Sequence, residues 1–269
     1  MYKVGLPISK LQKEVEAEAQ NDHLYLPLLL IVENTLAKTK VEQESPAALQ
    51  LALDNFIEEN GRLNPDTAKR YYTIGKILRK QKNYDASLRS HYEALDIRLK
   101  LYGNNPDTGK SYFQIGYAQF GKGDYESALQ SFEKAFAIGQ NLHGKIHPDV
   151  SCACSMIGVT KYHLKEYDSA MPMLQQALDI SVALYGKGLP ATATRYYWIA
   201  ECQYAMQDYD SALESCQQAL DIRLKLLGQE SEETRKSYRQ IELIRRRLKV
   251  CGSSPELATQ TGPSSQQNV

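Results

Sequence analysis

The chain contains 269 residues, of which 42% are hydrophobic and 24% are charged, values typical of folded globular proteins. Lysine plus arginine and aspartate plus glutamate are equal at 32 each, so no overall field draws the chain to nucleic acid or to an anionic membrane. The five cysteines include no C-x-x-C pair, which disfavours a secreted disulfide framework and a zinc site. We therefore expect reduced thiols and no metal, other cofactor, nucleic-acid partner or membrane partner.

The region 1–62 is predicted to be helical and to precede the main part of the protein. Its longest apolar run, LYLPLLLIV from Leu24 to Val32, contains Pro27 and is shorter than the ~20 residues that a membrane-spanning helix needs. No signal-peptide pattern opens the chain, so we expect a cytoplasmic protein. The apolar run fits a core helix or a capping helix.

A repeat begins at about residue 63. The octapeptide ALDIRLKL occurs at 94–101 and again at 219–226. Four series of residues advance in steps of 41, 42 and 42. They are Gly103, Gly144, Gly186 and Gly228; Tyr84, Tyr125, Tyr167 and Tyr209; Ile74, Ile115, Ile157 and Ile199; and Ala94, Ala135, Ala177 and Ala219. A fixed period of this length predicts a solenoid.

Each unit is predicted to contain two helices. In the second unit, Pro106 suits the first position of a helix and Asp107 suits its positive end. The stretch GKGD then breaks the helix, and Asp124 can cap the next one. Gly144 is expected to end that second helix in a left-handed conformation. Asn83 and Asp208 hold the capping position in units one and four.

Small residues recur where the two helices of a unit must approach each other. They are Gly75, Gly116, Gly158 and Ala200 on the first helices and Ala94, Ala135, Ala177 and Ala219 on the second. A larger side chain at such a contact would overpack it, at a cost of about 1–3 kcal/mol.

The pattern at Tyr112, Ile115, Gly116, Tyr125, Ala128, Phe132 and Ala135 resembles the consensus of the tetratricopeptide repeat. The period is longer than the usual ~34 residues. With NPDT and HPDV at unit starts, it is similar to the variety found in kinesin light chains and nephrocystin-like proteins. The resemblance implies an all-α, right-handed solenoid of antiparallel helix pairs that serves as a protein-interaction scaffold. The asparagines with which kinesin light chains hold a peptide are not matched here, so their cargo specificity is not implied.

The ends of the array differ from its repeats. The stretch 45–61 is expected to be the second helix of a degenerate unit whose first helix is 21–40. The stretch 231–250 is expected to be a capping helix with a polar outer face. We therefore divide the chain into a helical region with a capping unit at 1–62, four repeats plus a capping helix at 63–250, and a disordered tail at 251–269.

The sequence contains no catalytic motif, and we expect no enzymatic activity. His143 and His147 are four residues apart, which is a possible metal pair. A repeat position and a helix start explain them better. The run RRRLK at 245–249 is a possible nuclear signal, but a solvated helix face explains it better.

Function in a solenoid usually resides on its concave face, which the first helices line here. The outward positions of these helices are aromatic in the middle of the array and mostly basic at its ends, a composition that favours an acidic peptide segment as partner. Packing of the same rings between neighbouring helices is the alternative, in which case the array is an architectural or regulatory arm that packs against another subunit. The candidate binding residues are Lys69, Tyr72, Lys76, Arg79, Phe113, Tyr117, Phe120, Tyr162, Tyr197 and Tyr204.

Overall fold

The structure is a computed structural model that describes residues 45–252, and within this range it consists of α-helices without any strand. The helices are α1 Pro46–Asn60, α2 Pro65–Lys80, α3 Tyr84–Tyr102, α4 Pro106–Lys122, α5 Tyr125–His143, α6 Pro148–His163, α7 Tyr167–Tyr185, α8 Pro190–Ala205, α9 Tyr209–Leu227 and α10 Glu232–Gly252. The predicted all-α class is confirmed.

The helices form four consecutive antiparallel pairs, α2/α3, α4/α5, α6/α7 and α8/α9, which are the units one to four of the sequence repeat. Each helix packs against the next, and the first helices of neighbouring units also touch, as α2 does with α4 and α6 with α8. Helix α1 precedes the pairs, but its predicted partner at 21–40 lies outside the described residues. Helix α10 follows the pairs and ends at Gly252, two residues inside the segment predicted as a tail.

Helix starts follow the predicted signals. Proline occupies the first turn of α1, α2, α4, α6 and α8. The side chains of Asn83, Asp124 and Asp208 each accept a hydrogen bond from a backbone N–H three residues later, which satisfies one otherwise orphaned donor at the start of a second helix. The Glu166 side chain, at the same position before α7, makes no such bond.

The second helices end differently from the prediction. Gly144 has φ 79° and ψ −173°, so its φ is positive, but its ψ is extended rather than left-handed helical. This backbone region is open almost only to glycine, because a Cβ atom would collide with the backbone. The requirement for glycine is therefore confirmed, and the expected left-handed helical conformation is wrong.

The close helix contacts lie at the predicted small residues. A Cβ atom added to Gly116 would lie 2.8 Å from the Phe132 ring, and one added to Gly158 would lie 2.6 Å from Leu174. Ala200 is fully buried. The apolar interior is a series of clusters along the array, each shared by neighbouring helices. Stability in such an array is approximately a sum over units and their interfaces.

None of the helices between residues 45 and 252 has the length and apolarity that a membrane crossing requires. The apolar run at 24–32 lies outside this range. Free cysteine thiols occur within the described range. Cys152 is exposed, and three others are buried, namely Cys154, Cys202 and Cys216.

Candidate functional site: the face of the first helices

We define the first-helix face as the outward side chains of α2, α4, α6, α8 and α10. All seven predicted aromatic residues on it are half-buried, so part of each ring contacts solvent and part contacts protein. Lys69 and Lys76 are exposed and Arg79 is half-buried. The ten predicted residues lie on α2, α4, α6 and α8, and the Phe120 ring of α4 contacts the His163 ring of α6.

The rings on α4 pack on the interior of unit two. The Phe113 and Tyr117 centroids lie 5.1 Å apart, and both rings meet the buried Phe132 edge-on, at 5.5 and 5.8 Å. Such edge-to-face pairs stabilise the contact by about 0.5–1.5 kcal/mol beyond area burial. Burial also raises the pKa of the Tyr117 hydroxyl. These two rings have a packing role as well as an exposed edge.

The middle of the face is joined by two residues that the sequence analysis missed. His163 lies 5.2 Å from Phe120 and 5.5 Å from Tyr162, measured between ring centroids. The Trp198 ring lies 5.7 Å from that of Tyr162. His163 directly follows Tyr162 in the sequence, and Trp198 directly follows Tyr197. Both therefore lie next to the repeat positions from which the candidate residues were predicted.

A carboxylate stands among the rings of α6 and α8. The Tyr162 hydroxyl donates to Glu201 Oε2 at 3.4 Å. Burial and this carboxylate raise the pKa of Tyr162 to about 12, and they raise the pKa of Tyr197 as well. The Arg223 guanidinium lies 4.8 Å from the Tyr197 ring centroid. At the end of α8, Arg247 Nε donates to the Tyr204 hydroxyl at 3.3 Å.

Three basic side chains of α2 belong to the first-helix face. Lys69, Lys76 and Arg79 make no salt bridge with any residue between 45 and 252. The Lys76 ammonium lies 5.8 Å from the Tyr72 ring centroid, and the Arg79 guanidinium lies 5.1 Å from that of Tyr117. Arg79 Nε is buried and has no hydrogen-bond partner in the described part of the chain. A buried donor of this kind is uncommon in folded proteins.

The basic residues at the other end of the array differ, because α10 carries its own acids. Arg239 pairs with Glu232 at 2.6 Å, and Lys236 pairs with Glu233 at 2.8 Å. Arg246 of the RRRLK run pairs with Glu242 at 2.5 Å. Lys236, Arg239 and Arg246 thus each pair with an acid of their own helix, unlike Lys69, Lys76 and Arg79 of α2.

The two histidines next to α6 form a helix start. His147 is the N-cap of α6, and its Nδ1 accepts a hydrogen bond from the Asp149 backbone N–H at 3.2 Å. The His143 ring stacks on His147 with centroids 4.0 Å apart. Ligand atoms of these three side chains lie within 4.8 Å of one another, but His147 Nδ1 is already engaged in the cap. The interpretation as a helix start is confirmed.

The chain consists of repeating helix pairs whose first helices share one face. These features define a protein-interaction solenoid of the tetratricopeptide class. The sequence profile of the tetratricopeptide repeat matches residues 66–141 and 149–225, more than half of the chain. The protein belongs to the tetratricopeptide repeat family. A comparison with curated protein sequences finds no match.

Solved structures with the same fold share little sequence with this chain. BtubC (BKLC) from P. vanneervenii is 15% identical with a TM-score of 0.61, and the match covers 85% of this chain and 99% of BtubC. A kinesin light chain from Podosopora anserina with TPR-like repeats is 15% identical with a TM-score of 0.60, covering 70% of this chain and 89% of that one. A Rap protein complexed with Competence and Sporulation Factor is 16% identical with a TM-score of 0.59, covering 91% of this chain and 67% of Rap. The predicted resemblance to kinesin light chain repeats is confirmed.

Proposed function

We propose that this protein is a non-enzymatic adaptor that binds an extended peptide segment along the concave, first-helix face of its array. An acidic part of the segment lies over α2, and its apolar side chains contact the half-buried rings of α4, α6 and α8. The observation that carries this proposal is a group of three cations, Lys69, Lys76 and Arg79, that make no salt bridge with residues 45–252. The Lys76 ammonium lies over the Tyr72 ring of α2, and the Arg79 guanidinium lies over the Tyr117 ring of α4.

The charges on the first-helix face determine which end of the ligand lies over α2. Carboxylates of a ligand over α2 would pair with Lys69 and Lys76, which are exposed and make no salt bridge with residues 45–252. Glu201 on α8 would repel an acid, so the acidic part belongs at the α2 end of the segment. The exposed edges of Tyr162 and Tyr204 offer desolvated contact area at little cost in side-chain entropy.

A solved neighbour supports the capacity of the fold for such a role. The Rap protein with the same fold was solved in complex with Competence and Sporulation Factor. At 16% identity this likeness concerns the fold alone. The choice of an acidic ligand for this protein depends on its own residues.

The proposal is tested by selecting peptides from a random displayed library on the full chain and measuring binding kinetics. We expect acidic peptides whose association rate falls with salt and falls in Lys76→Glu/Arg79→Glu. Tyr162→Ala should mainly speed dissociation, by about tenfold or more if the ring is an anchor. The charge-matched control Lys134→Glu/Lys225→Glu places the same change on the second helices α5 and α9 and should have little effect.

The second candidate is an architectural arm that packs against another subunit. It is favoured by the fact that the rings of Phe113, Tyr117 and Tyr204 already contact other rings of the chain. If the selected ligands bind the α2 variant and the control variant equally well, the adaptor proposal fails and the arm becomes the better account.

A further inference from the structure

The arginine of the repeated octapeptide has a defined place in unit one. Arg98 is 7% exposed and lies between α3 and the start of α4. Its Nη1 donates to the Asp107 carbonyl at 2.8 Å and to Ser111 Oγ at 2.7 Å. Its guanidinium lies 4.6 Å from the Tyr72 ring centroid. We call this space, bounded by a ring of the first helix and by the start of the next unit, the arginine slot.

The arginine slot of unit four is filled in the same way. Arg223 holds the same octapeptide position and is 3% exposed. Its Nη1 donates to the Glu233 carbonyl at 3.0 Å and to Ser237 Oγ at 2.7 Å, while its guanidinium stacks on Tyr197. Two junctions 125 residues apart thus place a guanidinium on an aromatic ring and on a helix-start carbonyl.

Unit three fills the corresponding junction from the other side. Ser181 replaces the octapeptide arginine, and the arginine appears on α8 instead, at Arg195. Arg195 is 7% exposed, and its Nη2 donates to Ser151 Oγ at 2.9 Å. A guanidinium is therefore buried at the junction that follows each of units one, three and four.

The junction that follows unit two has no arginine at either of these two repeat positions. Gly139 holds the octapeptide position, and Ala153 holds the position of Ser111 and Arg195. A cavity of about 110 Å³ lies here, well above the ~10–15 Å³ that one water needs. Its walls include Phe113, Gly139 and Asp149. The matching depression of unit one is lined by Tyr72, Arg98 and Asp107, the residues at the same repeat positions.

We propose that the arginine slot of unit two binds the guanidinium of an arginine side chain supplied by the bound peptide segment. This inference rests on the proposed peptide-binding function, and it adds a specificity determinant to it. The guanidinium would stack on Phe113 as Arg98 stacks on Tyr72, and it would donate to the Asp149 carbonyl as Arg98 donates to that of Asp107.

Two further features suit a cation that enters from outside. The exposed Asp149 carboxylate at the edge of the cavity can pair with the guanidinium, as Glu233 pairs with Arg223 at 3.4 Å. The side chains of Ile138 and Leu142 form an apolar wall for the aliphatic part of the ligand side chain. Lys110 also lines the cavity, but it pairs with Asp107 at 3.3 Å.

The positive charge of Lys110 does not exclude a guanidinium. Lys69 occupies the same repeat position in unit one and lines the same depression as Arg98. That junction therefore holds a lysine and a buried arginine together.

The inference is tested with small probes on the full chain, followed by backbone amide NMR. N-acetyl-arginine amide should shift the amides around Phe113, Gly139 and Asp149, and it should bind about tenfold tighter than the isosteric but neutral N-acetyl-citrulline amide. Gly139→Arg should fill the slot from within and weaken binding at least about tenfold. The added side chain has room, because a Cβ atom at Gly139 meets only ordinary contacts, the nearest being Val150 at 3.4 Å. Ala137→Arg, on an exposed position of the same helix, is the charge-matched control.

Phe113→Leu serves as a second variant, because it keeps an apolar side chain and removes the ring face. Weaker arginine binding in either folded variant supports the slot. Equal affinity for arginine and citrulline, or unchanged binding in both variants, overturns it. If selected acidic peptides bind while the arginine probe does not, the slot is wrong and the adaptor function stands. If the probe binds and no peptide does, the adaptor function is wrong and the slot stands.

Discussion

The imidazole of His91 packs directly on Gly75: a Cβ atom added to Gly75 would lie 2.6 Å from His91 Cε1. His91 is fully buried, and neither of its ring nitrogens has a hydrogen-bond partner among the described residues. The same position in the other units is apolar, with Phe132, Leu174 and Cys216. Burial, assisted by the charges of Arg79 and Arg98, lowers the pKa of His91 to about 3.

The first prediction concerns the response of unit one to pH. The unfolded chain binds a proton on His91 below pH ~6.5, whereas the folded chain does so only near pH 3, so stability is complete above ~6.5 and is lost as pH falls between these values. In this range the free energy of unfolding falls by up to about 1.4 kcal/mol for each pH unit. His91→Leu should remove this slope and stabilise unit one at pH 5. Amide exchange in α2 and α3 at pH 7 and pH 5 measures this change in stability. An equal dependence on pH in the parent and in His91→Leu would contradict the prediction.

The second prediction compares two glycines in the loop between α7 and α8. Gly186 has φ 76° and ψ −178°, while Gly188 has no positive φ, and a Cβ atom would have open space at both. Gly186→Ala should therefore destabilise the protein by about 1–3 kcal/mol through backbone strain alone. Gly188→Ala should be neutral or slightly stabilising. Urea unfolding of the two variants gives the comparison, and an equal effect of both would show that backbone conformation is not the cause.

The third prediction concerns the contact between Gly116 and Phe132. Gly116→Ala should cost about 1–3 kcal/mol, because its Cβ would lie 2.8 Å from the ring and the core must shift. Unit four pairs Ala200 with Cys216 at the same positions. In a Phe132→Cys background the added methyl group should therefore cost little. A double-mutant cycle by denaturant unfolding measures this coupling, and additive costs would argue that the ring is not the obstacle.

The fourth prediction concerns the attachment of α10. Arg223 joins α9 to α10 through a buried hydrogen bond to Ser237 Oγ and a partly buried one to the Glu233 carbonyl. Arg223→Ala should raise amide exchange in α10 and cost about 1–3 kcal/mol, since it removes two charge-assisted hydrogen bonds to the start of α10. The exposed Arg235, paired with Glu230 at 2.6 Å, is the control, and Arg235→Ala should change little. Comparable protection of α10 in both variants would contradict the assigned role.

The local rules of the repeat were predictable from sequence. Pro106 marks the start of a unit and Gly144 marks its end, while Gly116 lies at a contact that requires a small residue. These features were predictable because each signal depends on residues close along the chain. The conformation of Gly144 was predicted wrongly, since several positive-φ regions require glycine and the sequence does not distinguish them. The neutralised cations of α10 and the empty slot at Gly139 were missed, because both depend on contacts between helices. The octapeptide contained the signal for the slot, an arginine at Arg98 that becomes glycine in unit two.

The most direct test of the adaptor function is to locate a selected peptide by photocrosslinking. A photoreactive phenylalanine analogue replaces Tyr162 on the first-helix face, or Ala183 on the exposed side of the second helix α7. The account predicts efficient crosslinks from position 162, their loss when excess unlabelled peptide is added, and only background from position 183. Crosslinks that form at position 183 and not at position 162 would contradict it.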